Sequence, residues 1–120
     1  MADFSNKQIQ DVWNKGTVVD NFNSTKYRKD IAGAWMRRDQ YGKEGDFGWT
    51  IDHVYPESDG GDENLVNLRP MHWQNNLSKS DNYPKYKTVI SSENETNIDK
   101  EQWFTVNDSL QSSLKKLYNL

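Results

Sequence analysis

Four polar residues in the middle of the chain have the types and the spacing of a metal-dependent hydrolytic site. Asp52 and His53 are adjacent at the end of a predicted strand, so their side chains point to opposite faces of the pleat. This separation suits a carboxylate turned toward a metal and an imidazole turned toward a water molecule. Asn76 follows 23 positions after His53 on a predicted helix, and Lys79 shares its helical face. Aspartate and asparagine oxygens favour Mg²⁺ or Mn²⁺.

The surrounding segment, 50–81, contains further polar residues and glycines at defined spacing. The order is Asp52-His53, a Gly60-Gly61 turn, Asn67-Leu68, Asn76 and Lys79, and with it the segment resembles the HNH (ββα-metal) endonuclease motif. The ending NLSKSD, residues 76–81, is similar to the HNH domain of CRISPR effector nucleases, in which asparagine replaces the final histidine. Upstream stretches are similar to small stand-alone HNH proteins of bacteria and phages: 27–30, 33–35, 41–42 and 48–49.

This resemblance implies a role for each matched residue. His53 is expected to be the general base that takes a proton from the attacking water. Asp52 and Asn76 are expected to hold one Mg²⁺ or Mn²⁺ ion, which stabilises the charge on the leaving oxygen. Asn67 is expected to bond backbone across the loop that aims His53, and Lys79 to contact the scissile phosphate or its neighbour. The products implied are a 5′-phosphate and a 3′-hydroxyl.

Arginines are expected to contact the phosphates of the nucleic-acid backbone. Such contacts supply affinity without recognising the base sequence. The candidates are Arg37, Arg38 and Arg69, together with Lys79. The expected partner is DNA, with RNA left open. The stretch 23–43 carries six basic and two acidic residues, whereas the stretch 51–63 has five acidic residues and no lysine or arginine. On charge alone, a solvated mixed surface is the better explanation of this pattern.

One departure from the resemblance concerns structural zinc. Many HNH proteins brace the fold with two cysteine pairs on a zinc ion, and this chain has no cysteine. His72 and Asn75 stand at the positions of the second pair. We therefore expect no structural zinc and a unit held by packing of apolar side chains: Trp49, Leu68, Met71, Trp73 and Leu77.

Two other functions stay open beside a metal-dependent DNA endonuclease. One is a toxin-type nuclease held by a cognate inhibitor, and the other is a nucleic-acid-binding module that keeps the fold without turnover. The target site, nicking against double-strand cleavage, the oligomeric state (a homodimer included) and the role of residues 85–120 also stay open.

The elements that must position these residues are predicted from periodicity and breakers. Ser5 caps a helix to Asn14. Strands are expected over 31–36, 47–55, 65–69 (stopped by Pro70), 86–92 and 101–106, with helices over 71–81 and from Asn107 or Asp108. The predicted class is α+β, with a central ββα unit at about 46–82. A basic helical extension, 1–45, precedes this unit, and a hairpin and helix, 83–120, follow it in one domain.

Composition excludes several classes of protein. The 120 residues suffice for one domain, and 33% of them are hydrophobic, so aromatic rings must fill much of the core. The absence of cysteine excludes disulfides and thiol catalysis. The net charge of −3 does not indicate a polyanion binder by itself. With no signal peptide and no long apolar run, we expect a cytoplasmic protein without membrane contact.

Overall fold

The computed structural model describes residues 3–120 as an α+β chain built from three helices and three antiparallel strand pairs. The helices are α1 (Asn6–Trp13), α2 (Trp73–Lys79) and α3 (Asp108–Tyr118). Strand β1 (Tyr27–Lys29) pairs with β2 (Trp35–Arg37), β3 (Trp49–His53) with β4 (Leu68–His72), and β5 (Lys85–Glu93) with β6 (Thr96–Thr105). None of the helices in the described part of the chain is long and apolar enough to cross a bilayer.

Helix α1 begins and ends where its capping residues predict. The Ser5 hydroxyl accepts from the Gln8 amide, and the Gln8 side chain accepts from the Ser5 amide, so a capping box is formed. At the other end Arg28 donates to the carbonyls of Asn14 and Gly16, which lack helical partners. The apolar stripe of α1 therefore stays fixed against the central hairpin.

That central hairpin, β3–β4, separates two apolar clusters. On one side Trp49, Ile51 and Leu68 pack with side chains from α1 and β2: Ile9, Val12, Trp13 and Met36. On the other side Val54 and Met71 pack with Tyr86, Val106 and Leu114 from the C-terminal hairpin and α3. The hairpin is thus clamped on both faces, and the end of β3 is held in place.

The structure corrects three predicted boundaries. Strand β4 continues through Pro70, which lies opposite Ile51 in a two-stranded sheet where its missing N–H need not break a ladder bond. The predicted strand over 31–36 is shortened to Trp35–Arg37, because Asp30 accepts from the amides of Ala32 and Ala34 and bends the chain. Strand β6 starts at Thr96 after a two-residue turn, five residues before the predicted start at 101.

Helix α2 is shorter than predicted and turns a different face inward. It has 7 residues and buries Asn75 and Lys79, whereas Leu77 is 68% exposed. Trp49, Leu68 and Met71 are buried as expected, but Leu77 does not belong to the core. The expected apolar packing is therefore confirmed for Trp49, Leu68 and Met71 and wrong for Leu77.

A buried hydrogen-bond hub around Asp30 braces the unit in addition to its apolar packing. One carboxylate oxygen of Asp30 accepts from the His72 amide and from Nδ2 of Asn75, both at 3.0 Å. The Asn75 amide oxygen then accepts from Val89 (2.9 Å) and Ile90 (2.8 Å), where the β5–β6 register shifts. Burial raises the pKa of Asp30, and the hydrogen bonds from Asn75, His72, Ala34 and Ala32 oppose that rise.

Candidate active site

His53 stands at the last position of β3, where the hairpin opens into an acidic loop. Its side chain is 12% exposed, with Phe4 of the N-terminal segment at 6.0 Å between ring centroids. Nε2 lies 3.3 Å from Glu63 and Nδ1 lies 3.6 Å from Glu57. The imidazole is therefore partly exposed, with one carboxylate beside each ring nitrogen.

Asn67 holds the loop that follows His53. Its side-chain oxygen accepts from the Tyr55 amide at 2.7 Å, and its Nδ2 donates to the carbonyls of Tyr55 (3.0 Å) and Asp62 (3.2 Å). Asn67 is fully buried, so these bonds are made without competition from water. They agree with the structural role that the sequence predicts for Asn67.

Asp52 is buried and already paired with two cations. Nε of Arg69 donates to one of its carboxylate oxygens at 2.9 Å, and Nζ of Lys79 lies 3.3 Å from the other. The Asp52 side chain is 3% exposed. One negative charge between two positive charges leaves this cluster with an excess of positive charge.

Lys79 is enclosed beneath the end of β3. Its side chain is fully buried, and Nζ donates to the carbonyls of His53 (3.2 Å) and Val54 (3.1 Å). Burial lowers the pKa of Lys79, and the neighbouring Asp52 carboxylate opposes that lowering. The structure does not support the predicted phosphate contact of Lys79, since its side chain is buried and its ammonium bonds the backbone.

Asn76 contacts β3, although at Thr50 and not at Asp52. Its Nδ2 donates to Oγ1 of Thr50 at 2.7 Å, with the Ile51 carbonyl at 3.4 Å. Within residues 3–120 no hydrogen bond joins Asn76 to Asp52, and Nη2 of Arg69 is buried without a partner. Arg69 and Lys79 thus already occupy both carboxylate oxygens of Asp52. The donor types suit Mg²⁺, but this arrangement does not fit a cation shared by Asp52 and Asn76.

The three candidate arginines differ in accessibility. Arg69 packs against the ring of Tyr86 with its guanidinium 4.9 Å from the ring centroid, and its side chain is 14% exposed, so the predicted phosphate contact is not supported. The Arg37 side chain is 46% exposed and pairs with Asp39 at 3.0 Å. Arg38 is half-buried over Trp49, with Nε donating to Gln10 at 3.1 Å. Arg37 and Arg38 are therefore the more accessible of the three.

Sequence reasoning missed Glu57 and Glu63 as neighbours of His53. One oxygen from each carboxylate and one imidazole nitrogen lie within 4.8 Å of one another. The acidic character of this stretch is visible in the sequence, and Glu57 follows four residues after His53. Its convergence on the imidazole depends on the path of the loop, which a linear pattern does not describe.

The loop bearing the two glutamates is tied to distant parts of the chain. The Gly61 amide donates to the Pro56 carbonyl at 2.9 Å, and a Cβ on Gly61 would lie 1.9 Å from the Tyr55 carbonyl oxygen. The Tyr118 hydroxyl of α3 donates to the Asp62 carboxylate at 2.6 Å, and this bond lowers the pKa of Asp62. The C-terminal helix thus helps to shape the surroundings of His53.

These features describe a partly exposed imidazole with carboxylate neighbours, at the end of a hairpin crossed by a short helix. When the chain is compared with protein-family models, with curated proteins and with solved structures, no match is found in any of the three.

Proposed function

We propose that the protein is an HNH-type endonuclease that hydrolyses phosphodiester bonds of DNA, with His53 as the general base. The observation that carries this proposal is the position of His53 at the end of β3, between the Asn67-bonded loop and helix α2. A hairpin followed by a helix that packs across it is the arrangement that the HNH resemblance implies.

The surroundings of His53 support a role in proton transfer. The two ring nitrogens of an imidazole allow one nitrogen to donate a hydrogen bond while the other accepts a proton. When the proton of the neutral ring is on Nε2, that group donates toward Glu63 and leaves Nδ1 to accept a proton from water. The imidazolium formed in this step then lies between two carboxylates, which stabilise its charge.

The remaining residues act by positioning. Asn67 holds the backbone just beyond His53, and the Lys79 ammonium holds the carbonyls of His53 and Val54. Arg37 and Arg38 are the accessible cations for contacts to backbone phosphates. The divalent cation that the resemblance implies supplies charge stabilisation at the leaving oxygen when bound. Asp52, whose carboxylate is paired with Arg69 and Lys79, acts as a structural group beneath the site.

Nicking of supercoiled plasmid by tag-free protein, with Mg²⁺, Mn²⁺ or EDTA, tests this proposal. We expect cation-dependent cleavage, with 5′-phosphate and 3′-hydroxyl ends, that falls by about 10²–10⁴-fold in His53→Gln. Asp59→Asn, an exposed change in the same loop, is the matched control and is expected to cleave normally.

Parallel substrates separate the alternatives. Cleavage of RNA without cleavage of duplex or single-stranded DNA would replace DNA by RNA as the substrate. DNA binding without cleavage of any substrate would overturn the nuclease proposal in favour of a binding module. Full activity in His53→Gln would overturn the assignment of the base.

A further inference from the structure

We propose that His53, Glu57 and Glu63 form a binding site for a transition-metal cation of the Zn²⁺ type, and that this cation inhibits the enzyme by occupying the imidazole. The inhibitory part rests on the proposed function, whereas the metal site itself rests on geometry alone. One ligand atom from each of the three residues lies within 4.8 Å of the other two, so small side-chain movements suffice for a shared ion.

The donor set determines the class of metal. An imidazole nitrogen with two carboxylate oxygens suits Zn²⁺ and similar transition metals, with water completing the coordination. Mg²⁺ prefers oxygen ligands and keeps much of its hydration shell, so it competes poorly for the imidazole. The site therefore distinguishes Zn²⁺ from the cation expected to support cleavage.

Uncompensated charge favours a cation at this place. In residues 3–120 the only ion-pair contact of Glu57 and of Glu63 is with His53, and no lysine or arginine lies within 4.0 Å of either carboxylate. With the imidazole neutral, the three side chains carry two negative charges. This contrasts with Asp52, whose charge is already matched by Arg69 and Lys79.

The backbone that carries His53, Glu57 and Glu63 is held by secondary structure and hydrogen bonds without any metal. His53 ends a paired strand, Glu57 opens the 3-10 turn Glu57–Asp59, and Glu63 directly follows Asp62, which Tyr118 and Asn67 hold. A ligand set that needs little reordering loses less entropy on binding. This organisation distinguishes the three residues from scattered surface carboxylates.

The small number of competing ligands makes the site easy to test. The sequence contains two histidines and no cysteine. His72 is buried, with Nε2 at 2.8 Å from the Asp46 carbonyl and Nδ1 accepting from the Gln74 amide. Binding of Zn²⁺ through an imidazole must therefore use His53.

Calorimetric titration of tag-free full-length protein with ZnCl₂, in metal-free buffer, measures the site without reference to activity. We expect one Zn²⁺ per chain, with affinity reduced by about tenfold or more in His53→Gln, Glu57→Gln and Glu63→Gln, since even indirect partners of a metal contribute about that much. Asp59→Asn, the control, should bind within about twofold of wild type. Circular dichroism verifies that each variant is folded.

Two results would overturn the metal site: no binding of Zn²⁺ by the wild-type protein, or equal binding by all the variants. The plasmid assay then tests inhibition, with Zn²⁺ added at saturating Mg²⁺. We expect nicking to stop as the site fills, and the Glu57→Gln enzyme, measured against its own rate without Zn²⁺, to need about tenfold more Zn²⁺. Undiminished nicking by the Zn²⁺-loaded protein would overturn the inhibition, while an inactive protein that binds Zn²⁺ would refute only the nuclease proposal.

Discussion

The ammonium of Lys79 lies 3.3 Å from the carboxylate of Asp52, the residue before His53 in β3, and both side chains are buried. Arg69 bonds the other Asp52 oxygen at 2.9 Å. Two residues that the sequence places in a metal and phosphate site are thus ion-pair partners inside the protein. Because the Lys79 ammonium also donates to the carbonyls of His53 and Val54, the pair helps to hold the end of β3.

Removal of one member of this buried cluster should destabilise the fold. We expect Lys79→Met to lower the free energy of unfolding by about 1–3 kcal/mol or more, because Asp52 loses one of its two cationic partners and two backbone carbonyls lose a donor. Urea denaturation measures the change. Lys100→Met, on the exposed face of β6, is the control and should change stability by about 0.5 kcal/mol or less. Equal stability of the two variants would contradict the buried pair.

Acidification should weaken the fold through His72. Burial lowers the pKa of this imidazole below its usual value of 6.5, so the unfolded chain binds more protons in that range. Stability supplied by neutral His72 is present above pH 6.5 and is lost as pH falls through 6.5 toward the lowered pKa of the folded state. Protonation also removes the Nδ1 acceptor that caps α2.

Urea denaturation of wild type and His72→Asn across pH 5–8 checks this expectation. Asparagine keeps a capping acceptor but does not titrate, so the variant should show a smaller loss of stability on acidification. Parallel curves for the two proteins would rule out His72 as the source. Asp30, whose pKa burial raises, acts in the opposite direction and is present in both proteins.

Asn75 should be among the most sensitive positions in the chain. Asn75→Ala leaves the amides of Val89 and Ile90 without their partner and removes a donor from Asp30. Each buried donor left unsatisfied costs about 1–3 kcal/mol, so the total loss should exceed that of an ordinary surface change. Hydrogen exchange should quicken first at the Val89 and Ile90 amides. Unchanged exchange there would show that the hub does not organise β5.

Gly61→Ala should disturb the site without touching His53. A Cβ at this position would lie 1.9 Å from the Tyr55 carbonyl oxygen, so the loop must move and carry Glu63 with it. We expect reduced Zn²⁺ affinity and reduced nicking. Gly45→Ala is the control, because the nearest atom to its Cβ is 4.0 Å away. Wild-type behaviour of Gly61→Ala would show that the loop tolerates displacement.

Local chemistry in the sequence determined several elements directly. Ser5 and Asn107 cap the helices that they were expected to cap, and alternation along 49–53 marks the strand that ends at His53. The α+β class follows from these signals, since caps and pleat periodicity depend on neighbouring residues. The resemblance to HNH nucleases also predicted that the side chain of Asn67 bonds the backbone of the loop after His53.

Tertiary structure alone decided what the site residues contact. Helix α2 turns Asn75 and Lys79 inward and leaves Leu77 exposed. Asn75 bonds Asp30, 45 positions earlier in the chain, and Lys79 pairs with Asp52, 27 positions earlier, so these long-range contacts decide which face is buried. The same long-range pairing neutralises Asp52 and leaves Glu57 and Glu63 beside His53. Burial and charge pairing are properties of groups brought together in space, and a linear pattern does not contain them.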